Sequence, residues 1–212
     1  MSGETAGGYF MATIKKNTLP AYFKPVFCSL LAALIVLLTF FVRIPLGPLT
    51  ITLNCLPVAI GAVLLGPLYG AILGAVFGLS SFIMTLTGGG GPLMTMLLGV
   101  NPFYTFLMCF VPRVICGWVP GLLFKSLPKN SGTTWLVSSA VCCGLTTLLN
   151  TVGFLGLMWI FFRGSLTDKP TENIFVFIFA LAGLNALVEF IINLVFGTTI
   201  SRAMYAATKN KL

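Results

Sequence analysis

Apolar runs of about twenty residues, broken by Pro, Gly and charge, occupy most of the chain. The breaks define six candidate helices: Lys24 to Val42, Leu53 to Leu65, Leu68 to Leu86, Pro102 to Phe124, Thr133 to Phe162, and Ile174 to Ile200. A helix needs about 20 apolar residues to cross a bilayer, so the second is short for a full crossing. The fifth is overlong and carries Gly153 and Gly156, where it can tilt or bend. The pattern predicts an all-α, polytopic six-helix bundle. The opening MSGETAGGYF is polar and glycine-rich and lies outside that fold. Met11 offers an alternative native start, which would make residues 1–10 foreign to the protein. No cleavable signal peptide is expected, because the run after Lys15 and Lys16 is too long and has no small-residue cleavage site.

Composition agrees with the pattern. Hydrophobic residues make up 58% of the 212 residues and charged residues 8%, and the mean hydropathy is +1.04. Soluble domains carry about 25% charged residues, so the globular and disordered classes are both excluded. The chain has no His and only four acids, Glu4, Asp168, Glu172 and Glu189, which leaves little for acid–base or metal chemistry. Six Cys stand in apolar surroundings without a CxxC pair and read as small hydrophobes. With a cytoplasmic N-terminus, one side collects Lys15, Lys16, Lys24, Lys125, Lys129, Arg202, Lys209 and Lys211. The other side receives Arg43, Arg163 and Lys169. The positive-inside rule then places both termini in the cytoplasm and accounts for the net charge of +8 without nucleic acid.

Three stretches on the external side are too rich in Pro and Gly for helix and too apolar for solvated loops. They are Arg43-Ile-Pro-Leu-Gly-Pro-Leu-Thr-Ile-Thr52, Thr87-Gly-Gly-Gly-Gly-Pro92 and Gly99-Val-Asn-Pro-Phe-Tyr104. Irregular backbone at membrane depth is tolerated where it is buried in protein or lines a cavity. The three stretches predict a ligand cavity near the outer face, with Arg43, Leu46, Pro48, Gly90, Asn101 and Tyr104 at its rim; ordinary tight turns are the competing reading. Gly66, Gly70, Gly74 and Gly78 form a four-spaced ridge, read first as a helix-packing face.

Arg113 and Glu189 fall within the fourth and sixth spans. A charge at that depth costs at least about 2.5–3.5 kcal/mol and needs a partner or a cavity. Their expected axial offset is about 6 Å at 1.5 Å per residue, a gap two long side chains can close. Two readings stand: an intramembrane ion pair, or an Arg113 that meets a substrate carboxylate. Asn54, Asn101, Asn150, Asn185 and Asn193 also cost desolvation unless bonded. Asn101, Asn150 and Asn185 are candidate ligand contacts, with interhelical hydrogen bonds as the alternative.

The strings Ile44-Pro-Leu-Gly-Pro-Leu-Thr-Ile-Thr-Leu53, Gly61-Ala-Val-Leu-Leu-Gly-Pro-Leu-Tyr-Gly-Ala71, Gly74-Ala-Val-Phe-Gly78 and Val111-Pro-Arg-Val-Ile-Cys-Gly117, with Asn101-Pro102, carry a family resemblance. As a block they resemble the substrate-binding (S) components of energy-coupling factor transporters, over about Lys24 to Arg202. The resemblance implies six helices, a loop between the first two spans capping an external pocket, and cytoplasmic termini. It implies a small-molecule vitamin as ligand, with pantothenate first and folate, a thiamine precursor or riboflavin as alternatives. It also implies a membrane coupling (T) subunit and two ATP-binding subunits as partners. An alanine-xxx-alanine docking signature of the family falls on Ser29 and Ala33, with Ser29 in place of the first alanine. The resulting division is a tail over 1–23, a transmembrane substrate-binding domain over 24–202, and a C-terminal tail over 203–212.

The chain has no GxxxxGK[ST] phosphate loop, so no cofactor is expected in it and energy must come from partner chains. An integral-membrane enzyme is disfavoured by the missing His and scarce acids. An autonomous secondary carrier would call for ion-coupling residues and paired half-repeats, which the sequence does not clearly show. A purely structural scaffold leaves the loop glycines and prolines without a purpose.

Overall fold

The computed structural model describes residues 22–42, 44–46, 49–51, 53–128, 132–167, 183 and 186–207. Within these, α1 (Phe23–Phe41) leads into a short antiparallel hairpin, β1 (Ile44–Leu46) paired with β2 (Leu49–Ile51). The helices α2 (Cys55–Leu65), α3 (Pro67–Leu86), α4 (Pro92–Val100), α5 (Pro102–Ser126) and α6 (Gly132–Thr167) follow. The last, α7 (Ala186–Ala207), contains a π-helical segment at Asn193–Gly197. Arg43, Pro48 and Asn185 lie outside the described residues, as do Asp168, Lys169 and Glu172.

Five helices, α1, α3, α5, α6 and α7, are long and apolar enough to cross a membrane. Their outer faces fit a lipid solvent. In α1, Cys28, Leu31, Ile35 and Thr39 turn inward, while Val26, Leu30, Leu37 and Phe41 are exposed. The short α2 is different: of its eleven residues only Leu56 is not buried. A helix apolar on every side belongs in the interior. It spans only about 16 Å at 1.5 Å per residue, and α1, α3, α5, α6 and α7 pack around it.

The glycine ridge packs α3 against α5 so closely that backbone touches backbone. A Cβ on Gly74 would meet the Arg113 carbonyl oxygen at 2.0 Å, and one on Gly70 would meet the Gly117 oxygen at 2.3 Å. Gly117 and Gly121 answer from α5, where added Cβ atoms would meet Gly70 and Pro67. Small residues permit this approach in a bilayer, where dispersion and packing rather than the hydrophobic effect hold helices together. Gly66 separates α2 from α3 with a φ of 99°, which favours glycine. On the other flank of α5, Gly153 of α6 leaves room for the ring of Pro112, at 2.8 Å from a hypothetical Cβ.

The structure sharpens the reading of two stretches. The four-glycine run is a helix stop followed by a helix start. Gly88 takes a φ of 77° after α3, Gly89 N–H donates to Met84 O and Gly88 N–H to Thr85 O. That is the paired bonding that closes a helix through a left-handed residue. Gly91, with a φ of 93°, then precedes Pro92 at the start of α4. Between Gly99 and Tyr104, only Asn101 leaves helical conformation, because α4 continues to Val100 and α5 begins at Pro102. No helix is expected from the sequence at α4, whose nine residues are too few to signal a span. It earns its place by burying Leu93, Met94 and Leu97 against Met108, Cys109, Met158 and Phe162.

Gly74→Ala is expected to destabilise the bundle by about 1–3 kcal/mol, the usual cost of overpacking. Gly156→Ala, at a glycine with nothing within 4 Å of the added Cβ among the described residues, should cost nothing and gain up to about 1 kcal/mol of helix propensity. Thermal unfolding in detergent, followed by tryptophan fluorescence, compares the two.

Candidate functional site

At the end of the bundle where α3 stops and α5 starts, Asn101 caps α5. Its Oδ1 accepts from the backbone N–H of Phe103 at 3.0 Å and of Tyr104 at 3.3 Å. That settles two of the otherwise orphaned donors of the first turn and leaves the side-chain NH2 as the group Asn101 can offer a ligand. Tyr104 stacks on Phe161 with ring centroids 4.7 Å apart, and meets Phe162 edge-on at 6.4 Å. Gly90 sits over Thr85 and Met94, where a Cβ would be crowded at 2.7 and 3.0 Å. Leu46 belongs to β1.

Deeper in the bundle, the Arg113 guanidinium donates through Nη1 to Cys109 O at 2.5 Å and lies over the Phe77 ring, 4.6 Å from its centroid. The cation–π contact partly offsets its lost hydration. Its Nε is buried and has no hydrogen-bond partner among the described residues. Glu189 of α7 is buried. Arg113 and Glu189 both lie within electrostatic range of the buried thiols of Cys55 and Cys116, and Cys55 is within hydrogen-bonding reach of the Glu189 carboxyl.

The Pro112–Gly153 contact fixes the relative level of α5 and α6. Asn150, three residues before Gly153 on α6, therefore comes to nearly the depth of Arg113, within about one turn. Its Oδ1 is also buried without a partner among the described residues. Asn54 and Asn193 bridge helices through Nδ2, while their Oδ1 atoms, like that of Asn150, are buried without a partner among the described residues. Asn54 Nδ2 donates to Thr39 Oγ1 at 2.8 Å, tying α2 to α1, and Asn193 Nδ2 donates to Thr147 Oγ1 at 2.6 Å, tying α7 to α6. These two are interhelical bonds of the kind that hold membrane helices together.

The structure thus separates the sequence candidates into levels. Asn101, Tyr104 and Gly90 gather at one end, Arg113, Glu189 and Asn150 lie deeper, and Ser29 and Ala33 are exposed on the outer face of α1. Phe77 was not singled out from the sequence; its place inside the Gly74–Gly78 ridge facing α5 was the available signal. Also unforeseen is a cavity of about 330 Å³ at the opposite end of the bundle, lined by Lys24, Gly66, Lys125, Trp135 and Tyr205 among others.

These features define a multi-pass helical membrane protein with polar groups stationed inside an apolar bundle. The family model described as "ECF transporter, substrate-specific component" matches residues 24–200, and the chain belongs to that family. It is a component of a transporter and not an enzyme. Similar characterised proteins include the pantothenate transporter PanT of Leuconostoc mesenteroides, 28% identical over 76% of this chain and 80% of that one. The pantothenic acid transporter PanT of Lactococcus lactis is 30% identical over 77% and 82%, and the biotin transporter BioY of the same species is 28% identical over 71% and 79%.

Replacing the α5 cap tests the local structure directly. Asn101→Ala should lower stability by about 1 kcal/mol, and Asn101→Ser should recover most of that, because a hydroxyl can cap in place of the amide. Thermal unfolding of the two variants in the same detergent measures the difference.

Proposed function

We propose that this chain captures pantothenate from outside the cell as the substrate-binding subunit of an ATP-driven importer. The observation that carries the ligand class is the half-buried Arg113, whose buried Nε has no partner among the described residues. A carboxylate placed there would gain charge-assisted hydrogen bonds, and the unpartnered Asn150 oxygen at a similar depth would accept from a hydroxyl or amide N–H. Pantothenate offers a carboxylate, an amide and two hydroxyls. Two relatives are pantothenate transporters and a third transports biotin, also a carboxylate. In this reading Glu189 belongs to the structural surroundings of Cys55 and Cys116 rather than to the ligand.

The fuller arrangement is part of the same proposal. Six helices, counting the short buried α2 and excluding α4, cross or enter the bilayer with both termini in the cytoplasm, as the lysine distribution favours. The hairpin β1–β2, with Arg43, Leu46 and Pro48, caps the external end, where Gly90, Asn101 and Tyr104 line the entry, and Asn185, about midway along the sixth span, is a further ligand contact. Ser29 and Ala33, exposed on α1, present the small-residue face to a membrane coupling subunit, which brings two ATP-binding subunits. Tails at 1–23 and 203–212 flank the domain.

Arg113→Gln should weaken pantothenate binding about 10- to 150-fold, the weight of one or two charged hydrogen bonds, and Arg113→Lys should lose less. Isothermal titration of the purified protein measures this, with melting temperature as the control for folding. Unchanged affinity in folded Arg113→Gln would remove the arginine from the site. In liposomes, uphill uptake should need the coupling and ATP-binding subunits with ATP. Accumulation by this chain alone, driven by an ion gradient, would instead make it a secondary carrier.

A further inference from the structure

Lys24 in the first turn of α1 and Lys125 in the last turn of α5 line one cavity of about 330 Å³. The other walls are apolar or backbone: the end of α2, the Gly66–Pro67 turn, and an aromatic group in which Trp135 stacks on Tyr205 at 4.8 Å and meets Phe124 edge-on at 5.8 Å. None of the described lining residues is acidic. Two like charges thus share a recess whose described walls supply no countercharge. The geometry calls for an anion from outside the chain.

We propose that this cavity holds the headgroup phosphate of an anionic phospholipid, with the glycerol and first acyl carbons against its apolar wall. Its volume is near the lower end of small-molecule pockets, about 300 Å³, which suits a headgroup rather than a whole lipid. Trp and Tyr concentrate at headgroup level in membrane proteins, and lysine stems lie along apolar surface while their charges reach the interface. A free phosphate would meet the lysines but leave the aromatic and aliphatic wall unused. The choice of leaflet rests on the orientation proposed above, which makes this the cytoplasmic side, where anionic lipids concentrate. The binding itself does not depend on orientation.

The tryptophans provide the test. Trp118 and Trp159 are 49% and 45% exposed, whereas Trp135 is 4% exposed. A Trp118→Phe, Trp159→Phe variant of the full chain therefore reports from the cavity alone. In nanodiscs of uniform composition, acyl-brominated phosphatidylglycerol should quench Trp135 far more than brominated phosphatidylcholine at equal mole fraction. Adding Lys24→Gln or Lys125→Gln should each reduce that preference about 5-fold, and both together about 30-fold, following the usual pull of anionic lipid on a surface lysine. Equal quenching by the two lipids, or a preference that survives the double lysine change, would overturn the proposal. Loss of the preference on adding millimolar inorganic phosphate at constant ionic strength would overturn the lipid in favour of a soluble phosphate. Pantothenate affinity, measured on the same nanodiscs, reports separately on the transport reading and should not change with the lysines.

Discussion

Helices α3 and α5 meet backbone to backbone, and much of the interior geometry follows from that contact. Gly70 and Gly74 on one helix, with Gly117 and Gly121 on the other, remove the side chains that would hold the axes apart. Lipid chains are as apolar as leucine, so membrane helices gain little by burying apolar surface against each other. They gain by close dispersion contact over a long seam. The seam runs past the Arg113 carbonyl, which faces Gly74, and one turn of α3 further on, the Phe77 ring lies under the guanidinium. Packing and the placement of the Arg113 charge are therefore one event. A side chain at Gly74 would push away the backbone that carries Arg113.

The cost of polar groups in hydrocarbon organises the rest. Asn54 and Asn193 settle their Nδ2 donors by bonding Thr39 and Thr147 on neighbouring helices, which fixes α2 against α1 and α7 against α6, while their Oδ1 atoms are buried without a partner among the described residues. Asn101 settles its own by capping α5. Arg113 and Asn150 are only partly satisfied within the described residues, and buried unpaired polar atoms are costly unless something else reaches them. What sets Arg113 apart is its charge: a cation at this depth gains most from a carboxylate, whereas Asn54 and Asn193 already bridge neighbouring helices through their Nδ2 atoms. At the opposite end, the exposed Lys24 and Lys125 stand at a cavity with an aromatic wall.

Much of the helical layout was legible in the sequence because Pro, Gly and charge interrupt the apolar runs at the right places. The predicted starts and ends of the first four spans fall within about two residues of α1, α2, α3 and α5. The family strings were equally readable. The role of the four-glycine run was not legible, because glycines that allow close approach to a ligand are indistinguishable in sequence from glycines that close one helix and open another; the positive φ of Gly88 and Gly91 shows the second use. Helix α4 was missed because three buried side chains in nine residues carry too little periodicity to stand out.

By itself the sequence determined the solvent this protein folds in, the approximate helix boundaries, the glycine ridge and the family, since each depends on composition, order or spacing along one chain. Only the tertiary structure decided which amides bond across helices, that the ridge turns inward onto α5, that Arg113 lies over Phe77, and that Lys24 and Lys125 share a cavity. Those facts depend on which residues from distant segments arrive at the same depth and face. A hydrogen bond of 2.6 Å between Asn193 and Thr147, forty-six residues apart, is set by the rotation and axial offset of two helices, and neither is written in the order of residues along a single one.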